Sequence, residues 1–194
     1  MKAVPTSPQI TLGILAGGRA TRLGGVDKAW LERDGVPQVM ALAQAFAPRV
    51  DAVVVSANRN AERYLSHGLR AIHDRIDDIG PIAGLDMLVN ACRSDWLLTL
   101  PVDALHLPDD LIERLAGAGA LGAFALDEDG PQPLIALWHV ETTRAAATVA
   151  LAKKDLAIHA LQARLGMPGV RFDGMRFGNL NTPQDLTAAG IVPP

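Results

Sequence analysis

Residues 10–28 read ITLGILAGGRATRLGGVDK, an apolar run that passes into a glycine-rich segment with three cationic side chains. A short apolar run that ends in glycines is typical of a buried strand, which we place at residues 10–16. The glycines allow the backbone to approach a ligand closely and to turn its N–H groups toward an anion. The stretch therefore predicts a buried strand that leads into an anion-binding loop.

Strands and helices alternate along the rest of the chain, which is the pattern of a mostly parallel sheet covered on both faces. Further strands are predicted at 50–56, 70–73 and 96–101, and a hairpin is predicted from 120–126 and 133–138. The predicted helices are 37–47, 61–66, 82–91, 108–115, 142–153 and 155–165, with a last one that begins near Pro183. We therefore expect a doubly wound α/β fold with a local antiparallel pair at the hairpin.

The size and charge of the chain limit the class of protein. A length of 194 residues predicts one domain over 1–194, in which 1–9 is a flexible N-terminus. A net charge of −3 argues against a nucleic-acid binder that relies on attraction to phosphate. The longest uncharged run, 3–18, contains two prolines and is shorter than the ~20 residues that span a bilayer, so no membrane segment is expected. The single cysteine, Cys92, excludes an intrachain disulfide and fits a cytoplasmic protein.

Polar residues follow each predicted parallel strand. Asn58 and Asn60 come after the second strand, Asp74 after the third and Asp103 after the fourth. Because ligands of such sheets bind beyond the carboxyl ends of the strands, where the strand order reverses, we expect a binding site at this edge. The loop at 15–28 contains neither a Walker A motif nor a G-x-G-x-x-G motif, which weakens a dinucleotide-binding oxidoreductase as the function.

The charged side chains at this edge suit a polyphosphate ligand. Arg19, Arg22 and Lys28 belong to the glycine-rich segment, where they can neutralise phosphate charge. Asp103 follows a buried strand, and Mg²⁺ prefers one or two carboxylates together with phosphate oxygens. On motif grounds alone a helix cap or a loop carboxylate explains Asp103 equally well, but the neighbouring glycine-rich loop favours the metal.

The segment from Asn179 to Asp185 reads as the start of the last helix. Thr182 is a good N-cap, Pro183 suits the first helical position, and an acidic residue in the first turn is favourable. This interpretation leaves Asn179 and Asn181 unexplained. We therefore predict that these two amides face a ligand.

The motifs LAGG at 15–18 and RLGGVDK at 22–28 resemble the molybdenum cofactor guanylyltransferases, a family within the nucleotidyltransferase superfamily. The family signature reads LAGG, then RMG and DK, so Leu23 is a mild departure from it. The likeness continues in chain order through SANR at 56–59, Asp74, GPIAG at 80–84, PVD at 101–103, IAL at 135–137 and NLNTP at 179–183. It therefore extends over nearly the whole sequence.

The resemblance implies a Rossmann-like single domain and an enzyme that transfers GMP from GTP to molybdenum-loaded molybdopterin, with release of pyrophosphate. It implies Mg²⁺, or Mn²⁺ in its place, as the cofactor, bound by Asp103. In the family pattern Lys28, Arg22 and Asp103 would be the catalytic residues. The residues implied in substrate binding are Leu15, Ala16, Gly17 and Gly18 along the nucleotide, Lys28 at its phosphates, Asn58 and Asp74 at the base and ribose, and Asn179 and Asn181 on the pterin phosphate side.

Several other functions remain open from the sequence. Within the same class, the alternatives are a cytidylyltransferase of the same cofactor and a sugar-phosphate nucleotidyltransferase. A non-catalytic nucleotide-binding module is an alternative from another class, although Lys28 and Asp103 argue against it. The family function implies transient contacts with cofactor-insertion proteins and acceptor oxidoreductases. We also expect a monomer, without nucleic-acid or membrane partners.

Overall fold

The computed structural model describes residues 9–17, 26–73 and 79–191 of the chain. Within them the strands are β1 (Ile10–Leu15), β2 (Glu32–Arg33), β3 (Val36–Pro37), β4 (Ala52–Ser56), β5 (Arg70–Ile72), β6 (Trp96–Pro101), β7 (Gly122–Asp127), β8 (Gly130–His139) and β9 (Gly169–Arg171). The α-helices are α1 (Gln38–Phe46), α2 (Ala61–Ser66), α3 (Pro81–Ala91), α4 (Leu111–Ala116), α5 (Val140–Ala152), α6 (Ile158–Arg164) and α7 (Pro183–Ala188), with short 3-10 turns at Lys28–Trp30 and Ala47–Arg49.

Seven strands form one twisted sheet in the order β5-β4-β1-β6-β8-β7-β9. The pairs β5–β4, β4–β1, β1–β6 and β7–β9 are parallel, whereas β8 is antiparallel to both of its neighbours. The doubly wound, mostly parallel α/β fold is therefore confirmed, and the predicted hairpin supplies its antiparallel strand. A separate small hairpin pairs β2 with β3.

The sheet is covered on both faces because its central strands are apolar on both sides. All six residues of β1 are buried. Leu12 and Ile14 belong to the core on one face, together with side chains from α1, α2 and α4, whereas Leu15 belongs to the core on the other face, with α3, α5 and α6. Successive side chains of a strand point to opposite faces, so an apolar strand such as β1 requires helices on both.

Most predicted elements agree with the structure, and the differences lie at short or polar segments. The helices predicted at 108–115 and 155–165 begin three residues later than expected, at Leu111 and Ile158. The hairpin predicted at 120–126 and 133–138 has a tighter turn, since its strands run to Asp127 and from Gly130. Strands β2, β3 and β9 were not predicted. Two residues, as in β2 and β3, are too few to show a periodicity, and Gly169–Arg171 contains Val170 as its one apolar side chain. The predicted flexible N-terminus falls, except for Gln9, outside the described residues.

The strand order reverses between β1 and β6, and in open α/β sheets the crevice at such a switch point is where ligands bind. The chain passes from β1 to β4 on one side and later returns to β6 on the other side, so the strand order reverses at this point. Beyond the strands, the Ala16 N–H donates to the Ser56 carbonyl at 2.9 Å and the Val102 N–H donates to the Leu15 carbonyl at 3.0 Å. The loops that begin at Ala16 and Val102 therefore start side by side.

Among the described helices, none has the length and apolar character needed to cross a membrane.

Candidate active site

The ammonium group of Lys28 joins two other polar side chains at this crevice. Its Nζ donates to Asp103 Oδ2 at 2.7 Å and to Asn181 Oδ1 at 2.7 Å. The side chains of Lys28 and Asp103 are only 18% and 15% exposed, so solvent weakens their attraction less than that of a surface pair. Three residues that the sequence singled out separately are thus brought together.

Asp27 holds the turn that carries Lys28. Its Oδ1 accepts the Ala29 N–H at 3.1 Å and caps the Lys28–Trp30 turn, while its Oδ2 accepts Asn60 Nδ2 at 3.1 Å. Asn60 stands in the left-handed region, with φ 57°, immediately before α2. The two oxygens of Asp27 therefore connect the Lys28 turn to the loop that follows β4.

Trp30 packs the same turn against helix α2. Its ring is buried against Tyr64 of α2, with 4.9 Å between ring centroids, and the Arg63 guanidinium lies 4.1 Å from its centroid. Burial is the main reason that the pKa of the Tyr64 phenol is raised well above its ordinary value, so this ring stays neutral. The packing fixes the base of the turn and leaves the Lys28 side chain at the crevice.

Asp103 lies in a tight turn directly after β6. The Ala104 N–H donates to the Pro101 carbonyl at 3.0 Å, and the Leu105 N–H donates to the Phe177 carbonyl at 2.6 Å. The first bond closes the turn and the second ties it to a segment more than seventy positions later in the sequence. The backbone that carries Asp103 is therefore fixed at the end of β6 by one bond within the turn and one bond to the Phe177 segment.

The start of α7 positions Asn181. The Asp185 N–H donates to the Thr182 hydroxyl at 3.2 Å, and Asp185 Oδ2 accepts the N–H groups of Thr182 at 2.8 Å and Asn181 at 3.0 Å. The hydrogen bonds of Thr182 come first among the causes that lower the pKa of Asp185, and the nearby Lys28 charge lowers it further. The predicted helix start is confirmed as a capping box, and it also fixes the backbone of a site residue.

The remaining predicted site residues fall into two groups. Leu15 is the buried last residue of β1, Ala16 and Gly17 follow it at the crevice, Asn58 is exposed after β4, and Asn179 is exposed on the same segment as Asn181, separated from it by the buried Leu180. Gly18, Arg22 and Asp74 lie outside the described residues, so their roles stay predictions. The structure thus brings Lys28, Asp103 and Asn181 into contact and leaves Leu15, Ala16, Gly17, Asn58 and Asn179 at or near the same edge.

Asp27 is the residue that the sequence reasoning missed. It belongs to the quoted loop, but only its neighbour Lys28 was assigned a role. An aspartate immediately before a helical turn is a recognised cap signal, and that signal was available here. Its second contact, with Asn60, joins positions 33 apart and has no local signal.

A glycine motif elsewhere in the chain is not a second candidate nucleotide site. Residues 117–122 read GAGALG, which has the G-x-G-x-x-G spacing. In the structure this segment leads from α4 into β7, whereas the dinucleotide-binding fingerprint leads from a strand into a helix. The segment therefore does not have the context of a dinucleotide site.

The fold and the site together define a class of protein. A mostly parallel sheet that places Gly17, a lysine and a carboxylate at its switch point is suited to bind a nucleotide by its phosphates. The chain belongs to the family of MobA-like NTP transferase domains, which matches residues 12–166. The protein is accordingly a nucleotidyltransferase, and the family resemblance seen in the motifs is confirmed.

Relatives and solved structures agree with this assignment. The chain is 34% identical over 183 residues to the molybdenum cofactor guanylyltransferase of Yersinia pestis (strain Pestoides F), a match that covers 92% of this chain and 93% of the relative. A molybdopterin-guanine dinucleotide biosynthesis protein A from Archaeoglobus fulgidus superposes with a TM-score of 0.72 at 20% identity, over 93% and 96% of the two chains. A 2-C-methyl-D-erythritol 4-phosphate cytidylyltransferase from Thermus thermophilus superposes with a TM-score of 0.68 at 17% identity, over 92% and 96%. The two structures share the fold.

Proposed function

We propose that the protein transfers GMP from GTP to the phosphate of molybdenum-loaded molybdopterin and thereby forms the guanine dinucleotide cofactor and pyrophosphate. The observation that carries the proposal is the contact of Lys28 with both Asp103 and Asn181 at the reversal of the strand order. The likeness to guanylyltransferases over 92% of the chain supports the choice of substrates. We place the reaction in the cytoplasm, with the protein as a monomer that passes its product to insertion proteins and acceptor oxidoreductases.

The reaction does not require a side chain to act as a general base. An oxygen of the acceptor phosphate attacks the α-phosphorus of GTP, and the bond from that phosphorus to the bridging oxygen breaks, so that pyrophosphate leaves with the electron pair. The attacking phosphate monoester is already ionised at neutral pH, so no general base is required. The protein must align the two phosphates and stabilise the charge that develops on the leaving group. Lys28 supplies a positive charge for the second task.

Asp103 fits a magnesium ion that is brought in with the triphosphate. Its carboxylate lies just after the end of β6 and pairs with Lys28. In the described ranges no group of three or more histidine, cysteine or acidic side chains could hold a metal without other ligands. Mg²⁺ commonly takes one or two carboxylates and completes its shell with phosphate oxygens and water. When bound, the ion would neutralise charge on the phosphates. A metal at Asp103 would also release the Lys28 ammonium for the phosphate oxygens.

The identity of the nucleotide gives the first test. We expect Mg·GTP to bind at least about tenfold more tightly than Mg·CTP, a difference of about 1.4 kcal/mol. Isothermal titration of the wild-type protein with both nucleotides measures it, and Lys28→Ala should reduce the affinity for both to a similar extent. Equal or tighter binding of CTP would contradict the proposal and would support the cytidylyltransferase alternative.

The charge of Asp103 gives the second test. Asp103→Asn should fold normally and lower kcat by about tenfold at limiting Mg²⁺, because an amide oxygen can still coordinate the metal but lacks the negative charge. Circular dichroism and product formation at low and high Mg²⁺ measure the two expectations. Asp95→Asn is the matched control, since Asp95 precedes β6 at the opposite end of the same strand. Full turnover of Asp103→Asn at low Mg²⁺ would show that Asp103 is only a loop residue.

A further inference from the structure

Asp127 is a charged side chain in the interior, outside the site described above. It is the last residue of β7 and its exposed fraction is 0%. Its Oδ1 accepts the Asp129 N–H at 2.9 Å and Gln132 Nε2 at 3.1 Å, and its Oδ2 accepts the Phe177 N–H at 2.9 Å. Burial acts to raise the pKa of this carboxyl, but the hydrogen bonds from Phe177, Gln132, Asp129 and Gly130 outweigh it and the pKa lies below its ordinary value. Asp127 is therefore a buried carboxylate that is well supplied with donors.

The two oxygens of Asp127 serve different parts of the chain. The contacts of Oδ1 stay within the β7–β8 turn, where an aspartate commonly bonds to the backbone two residues on. The contact of Oδ2 reaches Phe177, which is 50 positions away. A buried charge is tolerated only when it is well hydrogen-bonded. Moving Phe177 away would leave Oδ2 without this donor, so the bond favours the observed position of the Phe177 segment.

Phe177 connects Asp127 to the site. Its side chain is fully buried and packs on Phe172, with 5.4 Å between ring centroids, and its carbonyl accepts the Leu105 N–H at 2.6 Å. Leu105 directly follows the turn that carries Asp103, and Asn181 lies four residues after Phe177. One residue thus links the buried carboxylate to two of the side chains that contact Lys28.

The segment around Phe177 has further contacts besides the bond to Asp127. The Glu128 N–H donates to the Met175 carbonyl at 2.9 Å, and the buried Leu180 belongs to the same apolar cluster as Leu105. Glu128 Oε1 accepts the Gly174 N–H at 3.0 Å, and Arg176 forms an ion pair with Asp129. The Arg176 and Asp129 side chains are 66% and 49% exposed, and ion pairs of this kind contribute little to the position of a segment. Among the described residues that hydrogen-bond to this segment, Asp127 is therefore the buried charged side chain.

We infer that Asp127 is a positioning residue for the transfer reaction: through Phe177 it holds the Asp103 turn and the Asn181 segment in place against Lys28. The inference rests on the proposed function, because it assigns Asp127 to the same site. Within the described ranges the hydrogen bonds of Asp127 go to Asp129, Gly130, Gln132 and Phe177 and not to Lys28 or Asp103, so its effect on the reaction must pass through the segment that it holds.

The linkage is tested first without any activity measurement. In Asp127→Asn one acceptor oxygen becomes an NH2 group. Asp129 and Gln132 both donate to the Oδ1 position, so the remaining oxygen is favoured there and the Phe177 N–H loses its acceptor. Amide hydrogen exchange followed by NMR should then become at least about tenfold faster at Phe177 and Leu105 than in the wild type. Asp86→Asn is the matched control, because Asp86 is a carboxylate only 8% exposed that bonds to Asn90 of its own helix. Unchanged exchange at both amides in Asp127→Asn would overturn the inference.

A double-mutant cycle on the transfer reaction then separates positioning from general loss of structure. We expect Asp127→Asn to lower kcat by about tenfold with little change in the KM for GTP. Asn181→Ala combined with Asp127→Asn should lose no more than about twofold beyond the more severe of the two single variants, because both act on one arrangement. Losses that multiply independently would overturn the inference.

The test remains decisive if the Asp127→Asn variant does not fold or if the wild-type protein shows no transfer activity. If Asp127→Asn does not fold, Gln132→Met replaces it, since this variant removes one donor to the same carboxylate and keeps the Phe177 bond. Exchange at Phe177 should then rise less, by about threefold, and unchanged exchange would overturn the inference. If the wild-type protein binds nucleotide but transfers no guanylyl group, the proposed function fails, while the exchange experiment still decides whether Asp127 holds the Asp103 turn.

Discussion

Lys28→Ala should lower kcat for guanylyl transfer by about 10²–10³-fold, which corresponds to roughly 3–4 kcal/mol of transition-state stabilisation. The KM for GTP should rise much less. Lys28 is expected to contact the phosphates most strongly when charge builds on the leaving pyrophosphate, and an interaction made mainly in the transition state affects kcat more than KM. In the structure its ammonium already lies at the crevice, held by Asp103 and Asn181.

Steady-state kinetics with GTP and molybdopterin measure the effect of this substitution. Arg49→Ala is a suitable control, because Arg49 also forms an ion pair, with Glu113 at 2.6 Å, but precedes β4 at the opposite edge of the sheet. Glu113 is 67% exposed, so breaking that pair should change stability by no more than about 1 kcal/mol and leave kcat unchanged. A Lys28→Ala protein with kcat within about threefold of the wild type would contradict the role of Lys28.

Gly122→Ala should destabilise the protein by about 3–5 kcal/mol and lower Tm by about 10 °C. Gly122 begins β7 with φ 117°, a conformation that an L-residue with a side chain rarely adopts. A Cβ at this position would lie 2.0 Å from the Leu137 carbonyl oxygen and 3.2 Å from Trp138 Cα. Both atoms belong to the backbone of β8, which cannot move without breaking the ladder, so strain and steric overlap add.

Gly130→Ala separates these two contributions. Gly130 has a similar φ of 111°, but a Cβ there would meet no atom within 4 Å. It should therefore show the strain alone, about 1–2 kcal/mol. Urea unfolding of the two variants and the wild type measures the difference. Equal losses in the two variants would mean that no steric overlap with β8 exists.

The fold could be predicted largely because its central strands carry a strong local signal. The run at 96–101 is apolar and has turn residues on either side, and the structure confirms it as β6. The position of β8 between β6 and β7 could not be predicted in this way. A hairpin is local, but the insertion of its second strand beside β6 depends on pairing between residues distant in sequence, and periodicity contains no information about such pairs.

The residues that contact one another in the site could be predicted from the sequence, whereas the residues that hold them in place could not. Lys28, Asp103 and Asn181 stood out because charged and amide side chains at strand ends and helix starts need an explanation. Asp127 did not stand out, because an aspartate near a hairpin turn is ordinary. Its importance comes from the bond to Phe177, and no local pattern encodes a contact over 50 positions.

The contact between Lys28 and Asn181 joins residues that are 153 positions apart. Contacts of such high sequence separation form late, because the entropy of closing so long a loop must be offset by structure that is already in place. During synthesis α7 leaves the ribosome after every strand of the sheet, so this contact cannot form until the chain is nearly complete. The complete Lys28 arrangement is therefore a signature of the finished chain, and nascent or clipped forms that end before Asn181 lack it.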